Sequence, residues 1–300
     1  MAQHVLAHLP PSPRSSPLLV GIQGPQGSGK TFLTSHLRSF LASPPYSLSV
    51  CVLSIDDLYL PHSGLKRVAA ESSDNRLLQG RGLPGTHDVP LGSEVLAKLR
   101  AGEEVELPVF EKSLFDGEGD RLPRGQVVRP PLDVVLLEGW FVGFAPLTQG
   151  ELERKWEEAP ERIERGKGDA LDLRAFVKRE DVADVNERLR VYVGWWEMLD
   201  VFIQLSPRPA RAVSPHSLIY KWRLEQEHNM KAKNGGKGMS DEAVKAFVDR
   251  YIPGYVFFQD GVTEGYLNPA TGERVAPQWV GKGLRVLIGE ERQVVGTEAF

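Results

Sequence analysis

One cysteine, Cys51, stands in 300 residues, so the chain holds no internal disulfide framework, and a lone thiol fits a reducing compartment. It lies within an apolar run, where an inert, buried thiol is expected. No apolar stretch approaches the ~18 residues that a membrane-spanning helix needs, so no membrane partner is expected. A basic excess is lacking too: 36 Lys and Arg stand against 40 Asp and Glu, a formal net charge of -4. Duplex-binding domains show a basic excess or stripe, so nucleic acid is not expected as a partner. The histidines show no metal-ligand arrangement, and no internal repeat is present. Residues 1–17, with Pro10, Pro11, Pro13 and Pro17, lack a charged-then-apolar signal layout. They read as a loose tail, with the cytoplasm as the default location, ahead of a single domain over 18–300.

At 41% hydrophobic and 25% charged residues, the remainder suits a globular chain with a real core. Short apolar runs at 18–22, 49–55, 133–137, 201–205 and 284–288 read as strands, nearly continuous as in parallel sheets covered on both faces. Helical spacing recurs at 31–41, 91–99, around 185–198 and at 240–251. This alternation predicts an α/β fold: a central parallel sheet of about five strands flanked by helices. Residues 59–90, rich in Gly and Pro, form too long a connection to be idle. The charged stretch 146–182 reads as a mostly solvated, partly helical insertion.

Gly24-Pro25-Gln26-Gly27-Ser28-Gly29-Lys30-Thr31 matches the phosphate loop G-x-x-x-x-G-K-[ST] at every defined position. A strand leads in and an amphipathic helix leads out, as in the P-loop NTPase fold. The glycines let successive N–H groups turn toward phosphate oxygens, and the helix N-terminus adds partial positive charge. Lys30 is expected on the β- and γ-phosphates of ATP, and the Thr31 hydroxyl on Mg²⁺. The nucleotide-binding set is Gly24, Pro25, Gln26, Gly27, Ser28, Gly29, Lys30, Thr31 and Phe32.

In open α/β sheets the chemistry sits at the carboxyl ends of the strands. The second strand ends in Ile55-Asp56-Asp57-Leu58-Tyr59, and a carboxylate there can accept or orient the proton of an attacking hydroxyl. Asp56 is the first candidate, with Asp57 and Tyr59 beside it. The third strand ends in Leu137-Glu138-Gly139, where Glu138 can hold a Mg²⁺ water; Thr31, Asp56 and Glu138 form the metal set. Asp133 begins its strand and is rejected as the Walker-type acid.

Asp-Asp-Leu-Tyr after the second strand and Glu-Gly-Trp after the third resemble the uridine kinase, phosphoribulokinase and pantothenate kinase superfamily. More specific are Asn75-Arg76-Leu77-Leu78-Gln79-Gly80-Arg81-Gly82-Leu83-Pro84-Gly85-Thr86-His87-Asp88, Pro108-Val109-Phe110-Glu111-Lys112-Ser113 and Gly117-Glu118-Gly119-Asp120-Arg121. With Tyr220-Lys221-Trp222-Arg223-Leu224-Glu225-Gln226-Glu227 and Gly238-Met239-Ser240-Asp241, they resemble the D-glycerate 3-kinase family of plants and its fungal relatives. The likeness runs over most of 18–290 and weakens at 146–182. The family usually has Phe-Asp-Lys-Ser where this chain has Phe110-Glu111-Lys112-Ser113, so no close role is carried over to Glu111.

The resemblance implies transfer of a phosphoryl group from ATP to a small hydroxyl acceptor, D-glycerate, giving 3-phosphoglycerate. An anionic acceptor needs a matching cation: Arg81 first, for its bidentate fork, then Lys112 and Arg121. His87 and Asp88 are expected on acceptor hydroxyls, Asp88 matching a position that grips sugar hydroxyls in related nucleoside kinases. The alternative is that 82–88 forms only a tight turn with Asp88 as a cap. Tyr192, Trp195 and Trp196 read as core. A lid is expected over 206–240, with Arg223 as the transition-state cation and Lys221 and Arg211 behind it. The catalytic set is therefore Lys30, Asp56, Glu138 and Arg223.

Other readings are weaker. A switch GTPase would carry an Asn-Lys-x-Asp motif, and none is present. A mechanochemical ATPase would carry a second signature loop. A regulatory nucleotide-binding protein would not need Lys30, Thr31, Asp56 and Glu138 all intact. Uridine, pantothenate and sugar phosphates are the alternative acceptors, and a uridine site would want an aromatic-lined base pocket.

Overall fold

The computed structural model describes residues 1–300 except 13, 167, 209–213, 234 and 269. Arg211 thus lies outside the described residues. Six strands form the main sheet: β1 (Leu18–Gln23), β2 (Val50–Ser54), β3 (Val134–Gly139), β4 (Val201–Pro207), β5 (Gly283–Ile288) and β6 (Val294–Ala299). Their order is β6-β5-β4-β1-β3-β2. The first five are parallel, as the near-continuous apolar runs predict. The sixth lies outside the five expected strands. It folds back antiparallel on β5, and its Gly, Thr and Glu leave it mostly exposed at the edge.

The chain leaves β1 to build one half of the sheet, then crosses back past it to build the other. At this reversal the carboxyl ends of β1 and β3 open a crevice. Register aligns the crevice: Glu138 of β3 stands level with Ile22 of β1 and Ser54 of β2. The turns leaving β1 and β2 therefore flank Glu138.

The principal helices are α1 (Ala2–Ala7), α2 (Lys30–Ala42), α3 (His62–Glu71), α4 (Val89–Ala101), α5 (Gln149–Glu158), α6 (Arg179–Leu189), α7 (Pro215–Lys233), α8 (Asp241–Asp249) and α9 (Ile252–Phe258). Alternation along β1 divides the core into two layers. Leu18, Val20 and Ile22 pack with Leu37 and Leu41 of α2 and with Leu218 and Trp222 of α7. Leu19 faces the other layer, with Leu96 and Leu99 of α4 and the aromatics Phe141, Tyr192, Trp195 and Trp196. Those three residues of 192–196 are core, as expected; the helix expected through 185–198 breaks at a 3-10 turn, Arg190–Tyr192. Cys51 is buried, and burial pushes its thiol up to about 11.

Two expectations are corrected. The loose tail is ordered at its start: α1 buries Val5 completely in the β1–α2 layer. The stretch 146–182 is not mostly solvated. Leu152 of α5, Ile163 and Leu171 of an antiparallel hairpin, and Leu173 and Val177 beyond it all enter the core, beneath a charged outer face that hides them. No helix among the described residues is long and apolar enough to cross a membrane.

Candidate active site

β1 delivers the chain into residues 24–29, where Gly27 (φ 72) and Gly29 (φ 86) adopt left-handed backbone that a side chain would strain. Gly29 caps α2, so Lys30 begins the helix and its N-terminus opens on the crevice. The Lys30 Nζ donates to the Pro25 carbonyl at 3.0 Å, across the loop. The Ser28 hydroxyl is buried and has no partner among the described residues. A phosphate would satisfy both that hydroxyl and Lys30, whose ammonium burial disfavours while Glu138 and Asp56 favour it. Among the nucleotide-binding candidates Phe32 stands apart: it lies in the first turn of α2, past the loop, with its ring exposed and tilted against His36.

Glu138 lies beneath the loop, buried, 3.5 Å from the Thr31 hydroxyl, and burial raises its pKa despite the nearby Lys30. Among the described residues no cluster of three or more His, Cys, Asp or Glu stands ready for a metal. An ion that takes only one or two protein carboxylates beside phosphates needs no such cluster.

Asp56 sits in the 3-10 turn Ile55–Leu58 that ends β2. It accepts from the Tyr59 hydroxyl at 2.9 Å and from Lys112 Nζ at 2.5 Å. Burial disfavours its charge, but the Lys112 ammonium and these hydrogen bonds win and hold it at about 2. Lys112 is raised in turn, chiefly by Asp56. Asp57 does something else. It accepts from the Phe110 N–H at 3.1 Å, and burial raises its pKa, so it fastens the loop that carries Lys112.

The segment 82–88 runs beside 58–60: Leu60 N–H donates to Thr86 O, and Asp88 N–H to Leu58 O. The His87 ring stacks on Tyr59 at 4.5 Å, and burial lowers its pKa to about 3, so it is neutral. Its Nδ1 meets the Tyr192 hydroxyl at 3.0 Å, and its buried Nε2 has no partner among the described residues. Asp88 caps α4 through the Leu91 N–H at 3.2 Å and pairs with Arg121 at 3.0 Å. Arg121 also donates to Tyr59 O at 2.6 Å. Arg81 donates to the carbonyls of Gly117 and Glu118 and lies over the Phe110 ring at 5.8 Å. Among the described residues it has no carboxylate partner, and its charge reaches Lys112.

The lid cations are placed otherwise than expected. Arg223 pairs with the fully buried Glu227 at 2.8 Å, over the Phe247 ring, and is not a free cation. Lys221 reaches Glu290 and Glu291 in the turn between β5 and β6.

No family model matches the chain. A D-glycerate 3-kinase from Cryptococcus neoformans shares its structure at a TM-score of 0.85 and 39% identity, covering 100% of this chain and 97% of that one. A probable ATP-dependent kinase of Saccharomyces cerevisiae is 39% identical over 81% of this chain and 78% of its own length. The chain belongs to the D-glycerate 3-kinase family. The chloroplastic D-glycerate 3-kinase of Arabidopsis thaliana is 32% identical over 93% of this chain, which spans 54% of that longer protein. Like these relatives, this member of the D-glycerate 3-kinase family is an ATP-dependent P-loop kinase, hence a phosphotransferase.

Several residues that shape this kinase's site escaped the sequence. The Tyr255 hydroxyl accepts the Gln26 N–H at 3.2 Å. Arg250 donates to the carbonyls of Gly80 and Arg81 at 3.0 and 2.9 Å, and Trp140 Nε1 to Gly82 O at 3.0 Å. All hold loops by main-chain contacts from more than 50 residues away, and no local pattern announces such a partner. Only Trp140 carried a signal, inside Glu-Gly-Trp.

Proposed function

We propose that this kinase phosphorylates a small carboxylate-bearing alcohol, D-glycerate, at a hydroxyl, giving 3-phosphoglycerate and ADP. The observation that carries this reading is the state of Arg81 near Asp56. Lys112 is paired with Asp56 and Arg121 with Asp88, while Arg81, among the described residues, is met by carbonyls and no carboxylate. An anionic acceptor can supply that carboxylate, which guanidinium and ammonium groups suit. The names of the relatives agree with it.

In this reading the acceptor's carboxylate draws Lys112 from Asp56. Asp56, still buried but relieved of its counter-ion, becomes a better hydrogen-bond acceptor and orients the hydroxyl toward the γ-phosphorus. Neutral His87, through an Nε2 that has no partner among the described residues, is suited to a second acceptor oxygen. Lys30 and the loop N–H groups hold the β- and γ-phosphates. Thr31 and Glu138, with Asp56 nearby, are the oxygen donors that would hold Mg²⁺, which neutralises charge on the phosphates when bound. Arg223 would join the phosphates only after leaving Glu227. The test is ADP release with Mg-ATP across D-glycerate, L-glycerate, uridine, pantothenate and ribulose 5-phosphate. Stimulation by D-glycerate with formation of 3-phosphoglycerate is expected; none with glycerate sinks this substrate.

A further inference from the structure

The turn between β5 and β6 brings Arg292 to the phosphate loop from the far end of the chain. Its guanidinium uses each nitrogen separately. Nε donates to the Gly27 carbonyl at 2.7 Å, one terminal nitrogen to the Trp222 carbonyl at 3.1 Å, and the other to the Glu225 carboxylate at 2.7 Å. It also lies over the Trp222 indole at 5.7 Å. The two residues before it fasten the turn to α7: the Trp222 indole N–H donates to Glu290 O at 2.7 Å, and Lys221 spans Glu290 and Glu291. Arg292 itself holds a left-handed backbone (φ 60), an unfavourable conformation that these contacts maintain.

The phosphate loop touches α7 directly. A methyl group on Gly27 would lie 2.7 Å from the Trp222 carbonyl carbon. A trans peptide points its C=O and N–H in opposite directions. Holding the Gly27 carbonyl outward on Arg292 therefore turns the following N–H, that of Ser28, into the loop, where it donates to the Pro25 carbonyl at 3.3 Å beside Lys30 and where a phosphate oxygen would take it over. A lysine cannot do this: it is a single point charge, whereas here one planar fork spans three acceptors.

We propose that Arg292 is a positioning residue for nucleotide binding, fixing the Gly27–Ser28 peptide of the phosphate loop against α7. It acts through the loop, not on the reacting atoms. Calorimetric titration of ATP with MgCl₂ into the folded Arg292→Ala protein is expected to show affinity weakened about tenfold, and Arg292→Lys about as much. Methylguanidinium in the buffer should restore part of the affinity to the alanine variant and none to the lysine variant. Circular dichroism at the titration temperature establishes that each variant is folded; should the alanine protein not fold, the lysine protein carries the test. ATP affinity within about twofold of the native protein in a folded variant, or full recovery with lysine, overturns the proposal. A residue that serves only stability would lower the melting temperature and leave affinity in the folded protein unchanged.

Discussion

Asp56 is a carboxylate whose neighbours oppose its burial. Burial alone would raise its pKa; Lys112 brings it down to about 2. Replacing Lys112 by methionine removes the opposing charge and leaves the burial, so the Asp56 titration must move upward, which carboxyl NMR across acidic pH would record. A midpoint still near 2 would show that Lys112 is not what holds it. The sign for stability follows. A carboxylate depressed below its unfolded value, about 3.9, stabilises the fold above that pH, and this contribution is lost as pH falls toward 2. Urea unfolding of Lys112→Met should therefore depend less on pH across that window. Asp56→Asn keeps the shape but cannot accept a proton. We expect turnover to fall about a hundred- to ten-thousand-fold while calorimetry still detects ATP binding. Retained turnover would remove Asp56 from the chemistry.

At the scale of elements, α4 shows a functional candidate that is also structural. Asp88 closes the helix N-terminus and neutralises Arg121. Asp88→Ala loses both, and the cap alone is worth about 1 kcal/mol. Asp88→Asn retains a cap-competent oxygen, so chemical denaturation should find it more stable than the alanine protein by about that amount. Equal losses would mean that the Arg121 pair, not the cap, dominates. The same duality explains what the sequence revealed and what it hid. The phosphate loop, the Asp56 turn and Glu138 are legible because each rests on contiguous residues: an apolar strand, then glycines or acids at its end. The state of Arg81, Arg223 and Lys221 is not, because a guanidinium or ammonium takes its partner from whatever the fold brings near. For these it is Gly117 and Glu118, Glu227, and Glu290 and Glu291. Motif reading names the cation and says nothing of the carbonyl or carboxylate that has claimed it.

Across the whole molecule, a sheet covered on two faces needs apolar cover at its ends as well as at its centre, and α1 supplies it. Six residues near a cluster of prolines carry little helical signal, which is why they read as a tail. Their meaning lies in the layer they meet. Val5 is fully buried against the β1–α2 layer, with Leu6 and Leu9 partly buried beside it, and the His4 ring bonds the Lys282 carbonyl just before β5. These contacts gather near the starts of the strands, at the opposite end from Glu138 and Asp56. Stability and catalysis should therefore separate. Val5→Ala removes two buried methyl groups and should cost about 1–3 kcal/mol, lowering the urea midpoint. At temperatures where the variant remains folded, kcat and the KM for ATP should match the native protein. An unchanged urea midpoint would mean that α1 contributes no net stability, while a raised KM for ATP would show that its packing reaches through β1 to the phosphate loop.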